Sequence, residues 1–228
     1  DPLIKRGGKY LNTSRRAAEL IKYASNAFLA TKISYINEIS NLCEKVGVNV
    51  EDISIGMGLD QRIGSRFLRA GPGYGGSCFP KDTKAILDTA KKFKTNLSII
   101  NSTIKSNEAR HHILLDKIKK IMKGKIFKKK ITFLGVTFKA NTDDMRESSS
   151  LKLIPKLHKE GAIISYYDPS GFKRNFKKYK NVNYINKISL ACKNSDLIIL
   201  HTEWNEFKNL NFRNLVKSES LVLTIPTD

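Results

Sequence analysis

Residues 71–86, GPGYGGSCFPKDTKAI, set a single thiol, Cys78, between a glycine-rich turn and the start of a predicted helix. Pro80 suits the first position of that helix, because its missing N–H would be unpaired there in any case. The N–H groups and the macrodipole at a helix N-terminus favour negative charge, and therefore the thiolate form that acts as a nucleophile. The stretch predicts a loop-to-helix junction that carries a candidate catalytic cysteine.

Four glycines precede this cysteine: Gly71, Gly73, Gly75 and Gly76. They allow the backbone to adopt positive φ and to approach a ligand closely. Asp82, in the first turn of the predicted helix, is placed to reach the same space. The alternative interpretation is a surface loop followed by a buried, inert cysteine, since most free cysteines pack as small hydrophobic residues.

A long helix is predicted upstream, over residues 18–46. Residues at three- and four-residue spacing predict its buried face: Leu20, Ala24, Ala27, Phe28, Thr31, Tyr35, Ile39 and Leu42. Lys22 and Asn26 are neighbours on a second face, on the same stripe as Leu29 and Ile33. The pair is either an amine and an amide that point into a partly apolar site, or a snorkelling lysine beside an exposed asparagine.

The segment between these features carries a short helix and a basic loop. Asn49 predicts the start of the helix, and Gly56 and Gly58 predict its end. The loop that follows contains Arg62, Arg66 and Arg69. Because guanidinium groups bind phosphate oxygens bidentately, a diphosphate ligand is one interpretation, and three exposed loop arginines are the other. A further helix is predicted over residues 97–122.

From residue 131 onwards, short apolar runs alternate with helical ones, over residues 131–136, 148–159, 162–167, 188–194, 197–201 and 221–225. This order predicts an α/β region with a largely parallel sheet. Ligands bind such sheets at the carboxyl ends of the strands, so Lys139 is a candidate contact for nucleotide phosphates. Asp143 and Asp144 suggest an acid pair or a metal site, but we favour carboxylates that order the loop beside Lys139 and Arg146.

Composition limits the class of partner. The 228 residues carry a formal net charge of +20, an excess that raises the question of nucleic acid. The lysines are scattered, and their densest run, KGKIFKKK at residues 123–130, falls at a helix–strand junction. We interpret it as a solvated interdomain linker and expect no nucleic-acid partner.

The chain shows no signal-peptide pattern and no run of eighteen apolar residues, so we expect a cytoplasmic protein without a membrane span. Its three cysteines are too widely spaced for a disulfide framework or a CxxC metal site. Cys43 and Cys192 are expected to be packing residues. The four histidines have no metal-ligand spacing, and no metal is expected.

Several long motifs together resemble the UDP-glucose and GDP-mannose dehydrogenase family. Residues 71–86 resemble its active-site segment, in the form found in the UDP-glucose branch. Residues 18–44 (AELIKYASNAFLATKISYINEISNLCE) resemble the start of its central helical domain. Residues 133–150 (FLGVTFKANTDDMRESSS) and 201–207 (HTEWNEF) resemble its C-terminal nucleotide-sugar domain.

The resemblance implies an all-helical central dimerisation domain with the catalytic cysteine, residues 14–123, and a Rossmann-like parallel-sheet domain that binds a UDP-sugar, residues 124–228. Residues 1–13 are then the remnant of an N-terminal NAD domain or its linker. No GxGxxG fingerprint follows a predicted strand, so we expect a fragment that lacks its NAD domain and is inactive alone. The end of the chain, LVLTIPTD, also departs from the Asp-Gly-Arg segment common in the family, whose arginine contacts the substrate.

The implied activity is the NAD-dependent four-electron oxidation of UDP-glucose to UDP-glucuronate by a homodimer. The implied catalytic residues are Cys78, Lys22, Asn26 and Asp82. The implied substrate contacts are Lys22, Arg62 from the neighbouring subunit, Phe67, Leu68, Arg69, Ala70, Gly71, Tyr74, Gly75 and Lys139, and the implied cofactor contacts are Lys81 and Arg146. The alternatives are a dehydrogenase of another nucleotide sugar, UDP-N-acetylhexosamine or GDP-mannose, and a non-catalytic nucleotide-sugar-binding or dimerisation module.

Overall fold

A computed structural model describes residue 7, residues 9–215 and residues 221–225. Much of the predicted N-terminal remnant, and residues 226–228 at the C-terminal end, lie outside the described residues. The first half is helical, with α1 (Arg15–Val46), α2 (Val50–Gly58), α3 (Phe79–Lys92) and α4 (Ser98–Ile121). The second half is β1 (Lys130–Leu134), α5 (Ser150–Lys159), β2 (Ile163–Tyr167), β3 (Val182–Tyr184), α6 (Ile188–Cys192), β4 (Leu197–Leu200), α7 (Phe212–Leu215) and β5 (Leu221–Thr224).

The helix termini follow from local chemistry. The Ser14 side chain accepts a hydrogen bond from the Ala17 N–H at the start of α1, and Gly47 ends the helix in the left-handed conformation at φ 72°. The Asn49 side chain caps α2 by accepting from the Glu51 N–H, which confirms the predicted start. In α3 the first helical residue is Phe79, one residue before the predicted Pro80, and Cys78 occupies the N-cap position, so the thiol lies at the helix N-terminus as predicted.

The predicted buried face of α1 was wrong for its large apolar residues in the single chain, although Ala27 is buried as predicted. Leu20, Phe28, Tyr35 and Leu42 are each about half exposed or more, at 52, 66, 48 and 56%. Besides Ala27, the buried face carries mainly small and polar residues: Ala30, Ile33, Ser34, Ile36, Asn37, Ser40 and Cys43. The 3.6-residue period fits both faces, and small side chains allow α3 and α4 to approach α1 closely. The larger apolar side chains form an exposed stripe on the opposite side.

The second half contains a five-stranded parallel sheet in the order β3-β2-β1-β4-β5. Phe133 of β1 lies opposite Tyr166 of β2 and Ile199 of β4, and all three side chains are fully buried. The α/β prediction is confirmed, although β3 was not among the predicted runs. The strand order changes direction beside β1, and ligands bind at such switch points, at the carboxyl ends of the strands.

The two halves share a hydrophobic core. Leu114 and Ile118 of α4, and Met122 directly after it, belong to the same buried cluster as Phe133 of β1 and Leu153 of α5. This packing brings the N-terminus of α3 close to the carboxyl end of β1. No helix among the described residues has the length and apolar character needed to cross a bilayer.

Candidate active site

A cavity of about 470 Å³ opens beside Cys78, between α1, the glycine-rich loop and the residues after β1. Its volume lies in the range typical of small-molecule sites. Eight of the predicted site residues line it: Asn26, Phe67, Arg69, Gly71, Tyr74, Gly75, Cys78 and Lys139. The others lie outside its lining: Lys22, Arg62, Leu68, Ala70, Lys81, Asp82 and Arg146.

The three cysteines differ in exposure. Cys78 is exposed at the N-terminus of α3, whereas Cys43 and Cys192 are buried. Burial raises the pKa of the Cys192 thiol to about 11, which keeps it protonated and unreactive at neutral pH. The packing role predicted for Cys43 and Cys192 agrees with this burial. The alternative of a buried cysteine at residue 78 does not fit the structure.

A cluster centred on Asp82 lies next to the thiol. The Asn26 Nδ2 group donates to Oδ2 of Asp82 at 2.6 Å, and the Lys81 Nζ group donates to Oδ1 at 2.7 Å. The Nζ of Lys22 lies 3.6 Å from Oδ2. Asp82 is fully buried, while both lysine side chains are more than half exposed. The structure thus brings together the predicted catalytic residues, with Asp82 behind the cavity wall.

The Asp82 carboxylate is stabilised in its charged form. Burial raises its pKa, but hydrogen bonds from Lys81 and Asn26 and the charges of Lys22 and Lys81 outweigh burial, so the net pKa is lowered. The same contacts raise the pKa of Lys81. Asp82 is therefore ionised at neutral pH and holds the amide of Asn26 and both amines in place.

Two of the four glycines are required by the sheet domain. A Cβ on Gly76, which has φ 78°, would lie 2.7 Å from ring carbons of Phe138, and a Cβ on Gly75 would lie 2.7 Å from the Glu147 carbonyl oxygen. The Gly76 N–H also donates to the Arg146 carbonyl oxygen at 2.8 Å. Because Phe138 packs closely against Gly76, the residue that follows it, Lys139, lies in the cavity wall.

Arg146 is fixed by a carboxylate in its own loop. Its Nη2 lies 2.7 Å from Oδ2 of Asp144, which also accepts the Arg146 backbone N–H through Oδ1. Hydrogen bonding to Arg146 is the main reason why the pKa of Asp144 is lowered. Asp144 therefore has the loop-ordering role predicted for it. Within the described part of the chain, no three His, Cys, Asp or Glu side chains come together as a metal site.

The basic loop divides between two environments. Arg69 lines the cavity and pairs with Glu203 of the sheet domain at 3.2 Å, whereas Arg62 is exposed and pairs with Asp60.

Phe67 adopts a left-handed backbone at φ 64°, which is strained for a bulky residue, and its ring centroid lies 6.0 Å from that of Phe79. The sequence gives no sign of this strain.

Sequence reasoning missed three polar residues under the glycine-rich loop. Asn37 of α1, and Asn107 and Arg110 of α4, all hydrogen-bond to backbone atoms of residues 71–74. The only signal was a polar pair, three residues apart, on a helix face that also carries Thr103 and Leu114. That signal is weak, because such residues are more often solvent-exposed.

Two models of one protein family match the chain. Residues 16–109 match the central domain of the UDP-glucose/GDP-mannose dehydrogenase family, and residues 132–225 match the UDP binding domain of the same family. Together the two matches span most of the chain, and they fall on the helical and the sheet-containing halves.

Two curated relatives carry the description UDP-glucose 6-dehydrogenase. The chain is 46% identical over 227 residues to the UDP-glucose 6-dehydrogenase of Rickettsia prowazekii, covering 97% of this chain and 52% of the relative. It is 46% identical over 214 residues to that of Rhizobium meliloti, covering 94% and 49%. The chain therefore spans about half the length of the curated relatives that it matches.

Solved structures share the fold. A UDP-glucose dehydrogenase from Pyrobaculum islandicum superimposes with a TM-score of 0.88 at 31% identity, over 96% of this chain and 50% of the other. A UDP-N-acetyl-mannosamine dehydrogenase from Staphylococcus aureus superimposes with a TM-score of 0.71 at 25% identity, over 95% and 53%. The fold is thus common to proteins whose names specify different sugars.

Proposed function

The chain belongs to the UDP-glucose/GDP-mannose dehydrogenase family, and on that premise we propose that it supplies the catalytic and sugar-nucleotide-binding parts of an NAD-dependent UDP-glucose 6-dehydrogenase. The observation that carries the proposal is the exposed thiol of Cys78, in a cavity that Asn26 lines and the Asp82 cluster adjoins. The proposed reaction converts UDP-glucose to UDP-glucuronate with loss of four electrons.

The thiol accounts for the second oxidation. Loss of a hydride from C6 and a proton from its hydroxyl gives an aldehyde, and the Cys78 thiolate adds to the aldehyde carbon to form a thiohemiacetal. Loss of a second hydride and proton gives a thioester, which water hydrolyses to the carboxylate and the free thiol. Bound NAD would accept the hydride in each oxidation. The covalent bond keeps the aldehyde from leaving between the two steps.

Lys22 and Asn26 are placed to stabilise the oxygen at C6. An amine and an amide beside the thiol supply N–H donors where negative charge develops in the transition states. Both oxygens of Asp82 already accept hydrogen bonds, from Asn26 and Lys81. We therefore propose that Asp82 orients these groups, and that it activates the hydrolytic water only after Lys81 moves away.

The remaining cations suit two nucleotide ligands. Arg69 and Lys139 line the cavity and are proposed to bind the diphosphate of the sugar nucleotide, while residues 67–71, Tyr74 and Gly75 surround the sugar. Lys81 and Arg146 are exposed, and each lies near enough to Cys78 for their charges to interact. This position fits two cations that hold a dinucleotide at the mouth of the cavity.

We also propose that a second copy of the chain covers the exposed stripe of α1. Phe28, Tyr35 and Leu42 recur every seven residues and are all about half exposed or more. A stripe of large apolar side chains along a helix of 32 residues is more than a monomer usually exposes to solvent. In such a dimer, exposed Arg62 is proposed to reach the sugar nucleotide bound by the partner subunit.

The experiment that tests the proposed function is a side-by-side rate comparison in a full-length protein that carries this chain. UDP-glucose, UDP-N-acetylglucosamine and GDP-mannose are each supplied with NAD, and NADH formation is followed. We expect the highest kcat/KM for UDP-glucose. Faster turnover of another sugar would retain the mechanism and change the substrate, while binding of UDP-glucose without NADH from any sugar would favour the non-catalytic module.

A further inference from the structure

Two asparagines hold the glycine-rich loop from beneath. Asn37 of α1 accepts a hydrogen bond from the Gly71 N–H at 2.7 Å. Asn107 of α4 pairs with both backbone groups of Tyr74: its Oδ1 accepts from the N–H at 2.8 Å, and its Nδ2 donates to the carbonyl at 3.0 Å. Both ends of residues 71–74 are thereby fixed to side chains from the two longest described helices.

Arg110 of α4 links the loop to α1. Its Nε donates to the Gly71 carbonyl at 2.9 Å, and its Nη1 donates to Oδ1 of Asn41 at 2.7 Å and to the Asn37 carbonyl at 3.4 Å. Its Nη2 lies 3.5 Å from Oγ of Ser40. The planar guanidinium thus contacts the loop and one face of α1 at the same time, which a lysine amine cannot do in the same geometry.

Arg110 forms no salt bridge among the described residues, and the charge of Glu44 on α1 offsets the effect of burial on its pKa only in part. Arg110 is only 5% exposed, and each of its four acceptors is a neutral oxygen. Burial lowers its pKa to about 10, so it stays protonated at neutral pH. Burying an unpaired cation is costly, and a neutral residue would bridge the helices without that cost. The cation therefore needs an explanation beyond helix packing.

The Arg110 side chain acts on the cavity through the loop. Gly71, Pro72, Gly73 and Tyr74 line the cavity, and Arg110 and Asn107 lie directly behind them. A Cβ on Gly73 would lie 2.7 Å from Oδ1 of Asn107, so the loop and the asparagine fit closely. A displacement of either side chain would change the position of the cavity wall.

We propose that Arg110, together with Asn107, is a positioning residue for the nucleotide sugar: it holds the loop in the one conformation that receives the ligand, and its unpaired charge favours an anionic ligand there. The proposal rests on the proposed function, because it takes the sugar nucleotide to be the ligand of this cavity. Arg110 itself does not touch the substrate.

The test compares Arg110→Gln and Arg110→Lys in the full-length protein with a matched control, Thr103→Val. Thr103 is buried on the same helix, and its side chain hydrogen-bonds to Thr31 of α1 at 3.0 Å and to the Ile99 carbonyl rather than to residues 71–76. We expect both Arg110 variants to raise KM for UDP-glucose by about tenfold or more, with KM for NAD unchanged, because a small displacement of a binding wall weakens positioning strongly. Arg110→Lys, which retains the charge, should bind UDP-glucose more tightly than Arg110→Gln. Thr103→Val should lower Tm without changing either KM.

A second readout does not depend on turnover. Hydrogen exchange of peptides that contain residues 71–76 should be slow in the wild-type protein and faster in both Arg110→Gln and Asn107→Ala. Asn107→Ala keeps the guanidinium in place, so it still tests the loop if Arg110→Gln does not fold. Arg110 would be only a packing residue if hydrogen exchange of the loop is unchanged in both variants. The same would follow if the Arg110 variants lower Tm, as Thr103→Val does, but leave KM for UDP-glucose unchanged. If the wild-type protein turns over no nucleotide sugar, the proposed function fails, while the exchange rates still report whether the side chains hold the loop.

Discussion

Asn26 donates a hydrogen bond from Nδ2 to Oδ2 of Asp82 at 2.6 Å, and this bond joins α1 to the first turn of α3 beside Cys78. The same carboxylate holds the amines of Lys81 and Lys22 at 2.7 and 3.6 Å. One buried charge therefore organises an amide and two amines next to the thiol.

Asp82→Asn is expected to lower kcat by about 10²-fold or more, because it keeps the shape of the side chain but removes the charge that orients Lys22 and Asn26. KM for UDP-glucose should change less than kcat, because Asp82 does not line the cavity. The matched control is Asp88→Asn, which changes an exposed carboxylate of the same helix. Steady-state kinetics in which both variants match the wild type would remove Asp82 from the mechanism.

The same variant has a distinct pH signature. Because the pKa of Asp82 is lowered in the folded state, the unfolded chain binds the proton first as pH falls. Its contribution to stability is therefore complete above its unfolded pKa of about 3.9, and is lost as pH falls through the lower folded value. The free energy of unfolding, measured with denaturant, should differ between wild type and Asp82→Asn by a constant amount from pH 7 to about 4.5. A difference that shrinks between pH 7 and pH 5 would mean that the pKa is raised instead.

Alkylation should distinguish the three thiols. Cys78 is exposed, whereas Cys43 and Cys192 are buried, and Cys192 has a pKa of about 11. We expect iodoacetamide to modify Cys78 alone in the folded protein, and all three after unfolding, with peptide mass spectrometry as the measurement. Alkylation of Cys78 should abolish turnover, and bound UDP-glucose should slow the alkylation. Cys78→Ala that oxidises UDP-glucose to the acid at the wild-type rate would exclude Cys78 as the nucleophile.

Gly76→Ala is expected to lower the free energy of unfolding by about 1–3 kcal/mol, because alanine is strained at positive φ and its Cβ would displace the Phe138 ring. The loss should be smaller in a Phe138→Ala background, where the ring is absent. A double-mutant cycle from denaturant unfolding measures this coupling. Strictly additive losses would show that the ring does not occupy this space in solution.

Mixed dimers can test the proposed role of Arg62. Cys78→Ala and Arg62→Ala chains, each with its own affinity tag, are co-expressed, and the mixed dimers are purified. If Arg62 acts on the partner's substrate, one site of each mixed dimer has both an intact Cys78 and an intact Arg62, and activity returns. If Arg62 acts within its own chain, both sites lack a residue and the mixed dimer stays inactive. A monomer in sedimentation would contradict the dimer itself.

The sequence predicted best what local chemistry controls. Asn49 located the start of α2, Pro80 located that of α3 to within one residue, and the alternation of apolar and helical runs predicted the parallel sheet. The strand β3 was not predicted, because Val182–Tyr184 is only three residues long and contains no apolar run. The predicted buried face of α1 was wrong for its large apolar residues, because large side chains outweigh alanine and serine in a periodicity argument although small residues pack more closely.

The sequence indicated Cys78 because its residue type carries chemistry, and the structure places this thiol beside the cavity, but the sequence did not indicate residues that reach the cavity wall through a long-range contact. Nothing near Arg110 in sequence indicates that its guanidinium meets the Gly71 carbonyl, 39 residues away. The same holds for Phe138. Its ring lies where a side chain at residue 76 would have to be, which explains why residue 76 is a glycine, but this contact is visible only in the structure.

The central claim is that Cys78 retains the substrate through two successive oxidations. The most direct measurement is the number of NADH molecules formed per UDP-glucose consumed, in a full-length protein that carries this chain. We expect two NADH and one UDP-glucuronate per sugar, with no aldehyde released. One NADH per sugar with free aldehyde in solution would contradict it, because the thiol would then have no part in a second oxidation.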